Sequence, residues 1–268
     1  MLTRDRKRYG YLEPWTVQLP GLCVTLVTNP EHVQELFKKT RGLSAKSSVD
    51  LVLGNLFGVP AKEIPLYHRN DVGLSIPIRN KSTILPSKEQ ATNYMHLQAY
   101  NFHRFLTSQT LGNHNRRFLM TLERNLKVLE IGHQEWVDLP DLYGFLQEVV
   151  SRASIETLLG SKILELSPTL VKDLWTFQAG TPMLLRKMPR LAAPSAYEAR
   201  DRLIESIKKW HAYLLKHVAE DKLKPDQEFE WEPVWGSGIV RKRMQDMAKL
   251  GQVSADGHAA DDVGFLFA

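Results

Sequence analysis

The sequence predicts a mainly α-helical protein with a small β-hairpin at its amino terminus. Three observations predict it. Two β-rich runs, Trp15–Leu19 and Leu22–Val27, flank Pro20-Gly21, where proline fixes φ and glycine supplies a positive φ. Downstream, apolar residues recur at spacings of three and four in segment after segment, the period of an amphipathic helix. The closing stretch, Asp256 to Ala268, reads as a helix start that turns wholly apolar from Val263 onward.

After the hairpin, Asn29 is a suitable helix cap and Pro30 suits the first helical position, where no amide hydrogen is needed. The helix Glu31 to Thr40 sets Val33, Leu36 and Phe37 on one face and ends at Arg41-Gly42. Ser48 to Phe57 is a second apolar helical segment, stopped by Gly58-Val59-Pro60. Residues 61 to 87 carry Pro65, Pro77 and Pro86 with little period, and read as a long irregular connection. Ser87 to Thr107 returns to helical spacing. Its start has Ser87 and Gln90 in capping-box positions, and Met95, Ala99, Phe102 and Leu106 form its stripe. Leu111-Gly112-Asn113 is expected to break it before a further helix, Asn115 to Leu129. Trp136 to Pro140 reads as short and extended. Asp141 caps a helix from Leu142 to Leu159, with Phe145, Val149, Ala153 and Leu158 on its apolar side and Gly160 at its end. Pro168 to Thr176 is one more helix, and Thr181 to Pro194 is apolar and interrupted by proline. Ser195 to Asp221 is long and amphipathic, with Leu203, Ile207, Trp210 and Leu214 in register. A polar loop holding Trp231 and Trp235 leads to a basic helix, Gly238 to Leu250. In the closing helix Asp256 is the expected cap. Asp261 and Asp262 are expected to face the positive end of the helix dipole.

The 268 residues carry 35 basic and 30 acidic side chains, a net charge of +5, and 43% hydrophobic residues. That composition permits a real core and does not demand nucleic acid. The single cysteine, Cys23, excludes an internal disulfide and fits a reducing compartment. The longest apolar runs fall far short of the roughly 18 residues a spanning helix needs. The amino terminus has charge at Arg4, Arg6, Lys7 and Arg8 but no apolar run after it, so it is no secretory signal and reads as a solvated tail. No internal repeat or linker divides the chain, and residues 1–268 read as one domain.

Phosphate-loop, zinc-protease and nucleophile-elbow motifs are all missing from the sequence. Cys23 lies in an apolar strand pattern with no cation beside it, which favours a structural thiol over a reactive one. No metal ligands and no catalytic residues stand out. His96 and His103 are seven residues apart. They share a helix face without being able to share one metal, since about 10 Å of helix axis separates them. Each, like Arg104, can contact an anionic group or simply edge an apolar stripe. His211 and His217 read as solvated, and so does Arg241-Lys242-Arg243, which lacks the interleaved aromatics of a nucleic-acid surface.

Three stretches together resemble the amino-terminal half of a cytochrome P450. Trp15 to Lys39, with Val-Thr-Asn-Pro-Glu-His-Val-Gln-Glu-Leu-Phe after the hairpin, resembles the opening hairpin and B helix of those enzymes. Val149-Val-Ser-Arg-Ala-Ser-Ile-Glu-Thr-Leu-Leu-Gly160 is similar to the E helix. Asp262-Val-Gly-Phe-Leu-Phe-Ala268 looks like the entry into the central I helix, in the version of fungal relatives of the sterol 7-alpha-hydroxylase and prostacyclin synthase branch. The motifs occur in the family's order across nearly the whole chain.

The resemblance implies an incomplete P450 fold that ends at the start of the I helix. It implies a haem-thiolate monooxygenase for an apolar substrate of sterol, fatty-acid or secondary-metabolite type, supplied with electrons by an NADPH-dependent reductase. It places His96, His103 and Arg104 as neighbours of the haem propionates, and Phe265 and Ala268 at the substrate pocket. The departures are equally specific. The family's haem loop is F-x-x-G-x-x-x-C-x-G, whereas Thr16, Leu19 and Thr25 stand at the matching positions around Cys23. No glutamate is followed by arginine three residues later, so the family's E-x-x-R pair has no counterpart, and neither has its helix-C tryptophan. The expectation is a fragment without activity or bound haem by itself. The anchor that holds the family at the endoplasmic reticulum is not seen, and the expected location of this chain is cytoplasmic or unknown. The competing expectations are a cofactor-free helical interaction protein and, behind it, a basic nucleic-acid binder.

Overall fold

A computed structural model describes residues 13–19, 22–38, 46–68, 94–105, 108–127, 136, 138–217 and 231–267. The chain divides into two units, Met1–Ser47 and Ser48–Ala268.

In the first unit β1 (Trp15–Leu19) pairs antiparallel with β2 (Leu22–Leu26), in the register that sets Val17 opposite Val24. Alternation puts Trp15, Val17, Val24 and Leu26 on the less exposed face, and Thr16, Gln18, Cys23 and Thr25 on the open one. The Thr16 and Thr25 hydroxyls meet across the pair at 2.9 Å. Asn29 caps as expected. Its Oδ1 accepts the Glu31 amide at 2.9 Å, ahead of α1 (Pro30–Lys38).

The second unit is helical. Its elements are α2 (Lys46–Leu51), running on into a π-helical turn Val52–Phe57, then α3 (Ile64–Tyr67), α4 (Tyr94–Phe105), α5 (Ser108–Leu126), α6 (Leu142–Leu159) and α7 (Lys162–Leu166). They are followed by α8 (Leu170–Leu185), α9 (Pro194–His217), α10 (Gly238–Leu250) and α11 (Ala255–Phe267). The core centres on α8 and α9. Ala196, Ala199, Leu203, Ile207, Trp210 and Leu214 run down α9 at spacings of three and four, and all are buried against Leu170, Phe177 and Leu184 of α8. The two helices approach closely at Gly180, where an added Cβ would lie 2.4 Å from the Cβ of Ala196. Such burial contributes about 1.5–3 kcal/mol per large apolar side chain.

Asp141 caps α6, its Oδ1 accepting the Gly144 amide at 2.9 Å. The other end of α6 is clipped to a tight turn. Gly160 at φ +87 and Gly236 at φ +69 adopt the left-handed region that glycine alone enters cheaply. A Cβ on Gly160 would sit 2.2 Å from the Pro233 carbonyl oxygen, and one on Gly236 would sit 2.3 Å from that of Leu158. Lys162 N–H donates to Pro233 O and Ser237 N–H to Leu158 O, at 3.0 and 2.9 Å. Two indoles fasten the same turn: Trp231 Nε1 donates to Glu156 O, and Trp210 Nε1 to Val234 O, both at 3.0 Å. This clip fixes where α10 begins.

Several boundaries differ from the sequence reading. Gly112 does not break a helix. It lies inside α5, exposed, with open space where a Cβ would go, so its cost stays near the ~1 kcal/mol of an exposed helical glycine. The helix expected to end at Thr176 runs on through Pro182, so that α8 reaches Leu185. The connection after residue 60 contains the short helix α3. Ser254, not Asp256, caps α11: its Oγ accepts the Gly257 amide at 3.2 Å, while Asp256 pairs with Lys208 at 2.8 Å. The capping box at Ser87 and the stripe residue Leu106 lie outside the described residues. Among the described residues, no helix is long and apolar enough to cross a membrane.

Candidate functional site

The closing helix α11 carries the site. Ser254 starts it, and Ala259, Ala260 and Val263 bury one side completely. Gly264 lets the π-helical turn come close, since a Cβ there would sit 2.9 Å from the ring of Phe57. Phe265 is 9% exposed. Its ring lies 5.7 Å from that of Phe102 on α4, and the Arg243 guanidinium of α10 lies 4.6 Å from its centroid. Together with Val49, Val52, Leu53 and Met95, these two rings line an apolar concavity of about 340 Å³. Gln98, Arg243 and Asp261 supply the polar part of its wall.

Behind that wall lies a buried ionic network. Arg243 Nη2 donates to Asp261 Oδ2 at 2.5 Å and to Asp262 Oδ1 at 2.9 Å. Gln98 Nε2 reaches Asp261 at 2.8 Å, and the Tyr94 hydroxyl donates to the same carboxylate. His211 of α9 meets Asp262 at 2.9 Å. Burial alone would raise the pKa of Asp262, but Arg243 and His211 outweigh it and hold the carboxyl down at about 2. Burial and the neighbouring Asp261 charge push the Tyr94 phenol well above its ordinary value. The network ties α4, α9, α10 and α11 together around Phe265. A second buried pair extends it along α10, where Asn101 Nδ2 donates to Asp246 at 2.8 Å and Lys242 also binds that carboxylate.

Of the residues singled out from the sequence, Phe265 lies in the concavity wall. Ala268 lies outside the described residues. His96 and His103 fall on α4, but their side chains lie outside the described residues. Arg104 lies elsewhere, in a second, cation-lined concavity that also includes His114, Arg116 and Arg117. Helical projection puts Phe102 and Arg104 on nearly opposite sides of α4.

Three readings are corrected. Arg241 and Arg243 are buried instead of forming a solvated face, because α10 packs on α4 and α11 offers carboxylates to Arg243. His211 is buried against Asp262, whereas His217 is indeed exposed. Asp261 and Asp262 are interior ion-pair partners, not dipole caps. A signal for the last point was present in the sequence. Two adjacent aspartates inside an otherwise apolar helix have no wet face, so they require internal cations.

The fit of this chain to a haem iron turns on Cys23. It is a free thiol at an exposed position of β2, open to the water that an iron–thiolate bond must exclude, so among the described residues no thiol fits the iron. Among the described residues, no group of three or more His, Cys, Asp or Glu side chains is placed to hold a metal.

Comparison with known proteins finds fungal cytochrome P450 monooxygenases. The chain is 34% identical over 134 residues to the monooxygenase fsoE of Humicola fuscoatra, across 50% of this chain and 23% of that protein. It is 27% identical over 269 aligned residues to efuG of Hormonema carpetanum, across 100% of this chain and 44% of that protein. It is 22% identical to calL of Penicillium decumbens, across 82% and 40%. The chain thus spans less than half the length of these relatives. No family model and no solved structure matches. The similarities support the cytochrome P450 family.

Proposed function

We propose that this chain forms the amino-terminal part of a haem-thiolate monooxygenase that oxidises an apolar small molecule. The observation that carries this reading is the similarity to efuG along the whole chain. The sterol 7-alpha-hydroxylase and prostacyclin synthase branch is the finer placement, resting on the resemblance of Asp262–Ala268 to that branch's I helix. The concavity beside Phe265 is the substrate wall. Phe102, Phe265, Met95 and Leu53 bind an apolar body and exclude water, and a ligand of about drug size buries most of its surface in such a setting. The Arg243 network holds α11 in register so that this wall stays in place. Haem, when present in the whole protein, supplies the oxygen chemistry. Its thiolate comes from a residue other than Cys23, and His96 and His103 are the proposed propionate neighbours, whereas Arg104, the third residue the resemblance names, lines the separate concavity. Electrons come from an NADPH-dependent reductase. A cofactor-free interaction module is not favoured, since it leaves the similarity to three monooxygenases without a cause.

The test is spectroscopic. The product of the complete transcript, reduced under carbon monoxide, should show the thiolate-haem signature. The 268-residue chain titrated with haem should not show it. A thiolate spectrum from this chain alone would refute the assignment of the ligand. A complete product that never binds haem would refute the monooxygenase reading itself.

A further inference from the structure

The arginines of the helical unit mostly find carboxylates. Arg124 binds Glu156, Arg152 binds Glu148, Arg190 binds Asp201, Arg202 binds Asp173, and Arg243 binds Asp261 and Asp262. Arg104, Arg116 and Arg117 find none among the described residues. All three instead line one concavity of about 620 Å³, between the end of α4, the first half of α5 and the start of α10. On α5, Thr110, Asn113, His114 and Arg117 follow the spacing of one helix face, and all four line it. Its described lining contains no carboxylate.

The geometry is organised for a guest. Arg117 lies 4.2 Å from the Trp231 ring centroid, so its guanidinium is held in place before any anion arrives. Trp231 is itself fixed through its bond to the Glu156 carbonyl. At the back, Ser237 and Gly238 open the 13-residue helix α10. The Ser237 hydroxyl is turned away to Leu158 O at 2.8 Å, so it does not cap α10, and the first turn of that helix holds no acid. The positive end of α10 therefore adds to the three guanidinium charges. Converging like charges without a counter-ion repel, and an incoming anion relieves that repulsion. Burial lowers the pKa of His114, which favours its neutral ring.

We propose that this concavity is an anion site for a phosphate-bearing ligand, with a diphosphate the best match in charge. Guanidinium forks fit phosphate oxygens in bidentate fashion, and three of them balance the charge of a diphosphate. The volume exceeds that of the phosphates, leaving room for an organic body beside Trp231. The site is separate from the apolar wall at Phe265 and does not depend on the monooxygenase reading.

The probe is inorganic pyrophosphate, titrated calorimetrically into the intact chain at low ionic strength, with two vesicle arms of matched charge, one containing phosphatidic acid and the other phosphatidylserine. Saturable pyrophosphate binding is expected, weakened by roughly tenfold or more in Arg116→Gln and in Arg117→Gln, as befits the loss of a charge-assisted contact. Lys127→Gln removes an equal charge one residue past the end of the same helix, where the side chain is exposed, and should leave binding unchanged. Thermal melts of each variant report that the fold persists. Pyrophosphate binding without vesicle binding identifies a soluble ligand. Preference for phosphatidic acid over phosphatidylserine, lost in Arg116→Gln, identifies a lipid headgroup. The proposal is overturned if pyrophosphate does not saturate, or if Lys127→Gln weakens binding as much as Arg116→Gln. It is equally overturned if polyglutamate binds in preference to pyrophosphate, which would mark a protein-docking face.

Discussion

Two groups of arginines in the helical unit are treated in opposite ways. Arg243 on α10 is 4% exposed and shared between two buried carboxylates. Arg104, Arg116 and Arg117 stand around an open concavity, and no described acid answers them. The contrast teaches what each region is for. A cation sealed against its partners is a fixed part of the architecture, because removing one side strands the other in a medium that cannot solvate it. A cation left facing water beside other cations has a neutral effect on folding and a large effect on what enters.

The sharpest way to break this comparison is Arg243→Met. It leaves Asp261 and Asp262 buried without their cation and should cost about 3–5 kcal/mol of stability by urea denaturation. A loss below about 1 kcal/mol would mean that the network is not structural. Acid comes next. Asp262 has a depressed pKa, so its contribution is complete above its ordinary value of 3.8 and is lost as pH falls toward about 2. The loss should be on the order of 2 kcal/mol over that window, and Asp262→Asn should flatten this limb of the stability profile. Ser254→Ala removes the cap that starts α11 and should cost about 1 kcal/mol in the same assay. On the cationic side the effects are small. Arg116→Gln should shift stability by no more than about 0.5 kcal/mol. Gly112→Ala, with open space at its Cβ, should raise stability by about 0.5–1 kcal/mol.

Local chemistry made much of the fold legible from the sequence. The stripe Leu203, Ile207, Trp210, Leu214 is all core, because a 3.6-residue period leaves only one face to bury. Asp141 and Asn29 cap as their neighbours require, and the two β-rich runs do pair as antiparallel strands. The candidate site was legible only at Phe265. Its partners come from far along the chain: 163 residues separate Gln98 from Asp261, and 51 separate His211 from Asp262. A pattern read over a dozen residues cannot bring them together. The run Arg241-Lys242-Arg243 misled for a related reason. Successive residues on a helix point about 100° apart, so three adjacent charges never share one surface. Arg243 turns to the aspartates of α11 while Lys242 turns to Asp246. Gly112 misled because glycine weakens a helix without ending it.

The clip between Gly160 and Gly236 has a consequence for how this lineage can vary. Each glycine occupies space that the other's backbone leaves no wider: a Cβ on Gly236 would meet Gly160 N at 2.4 Å, and one on Gly160 would meet Gly236 N at 2.9 Å. A side chain at either position cannot be accommodated by shrinking its neighbour, because that neighbour is already the smallest residue. The two positions are therefore frozen jointly. Descendants that abandon one are expected to have rebuilt the whole turn from Glu232 to Ser237, so that substitutions there arrive as a block.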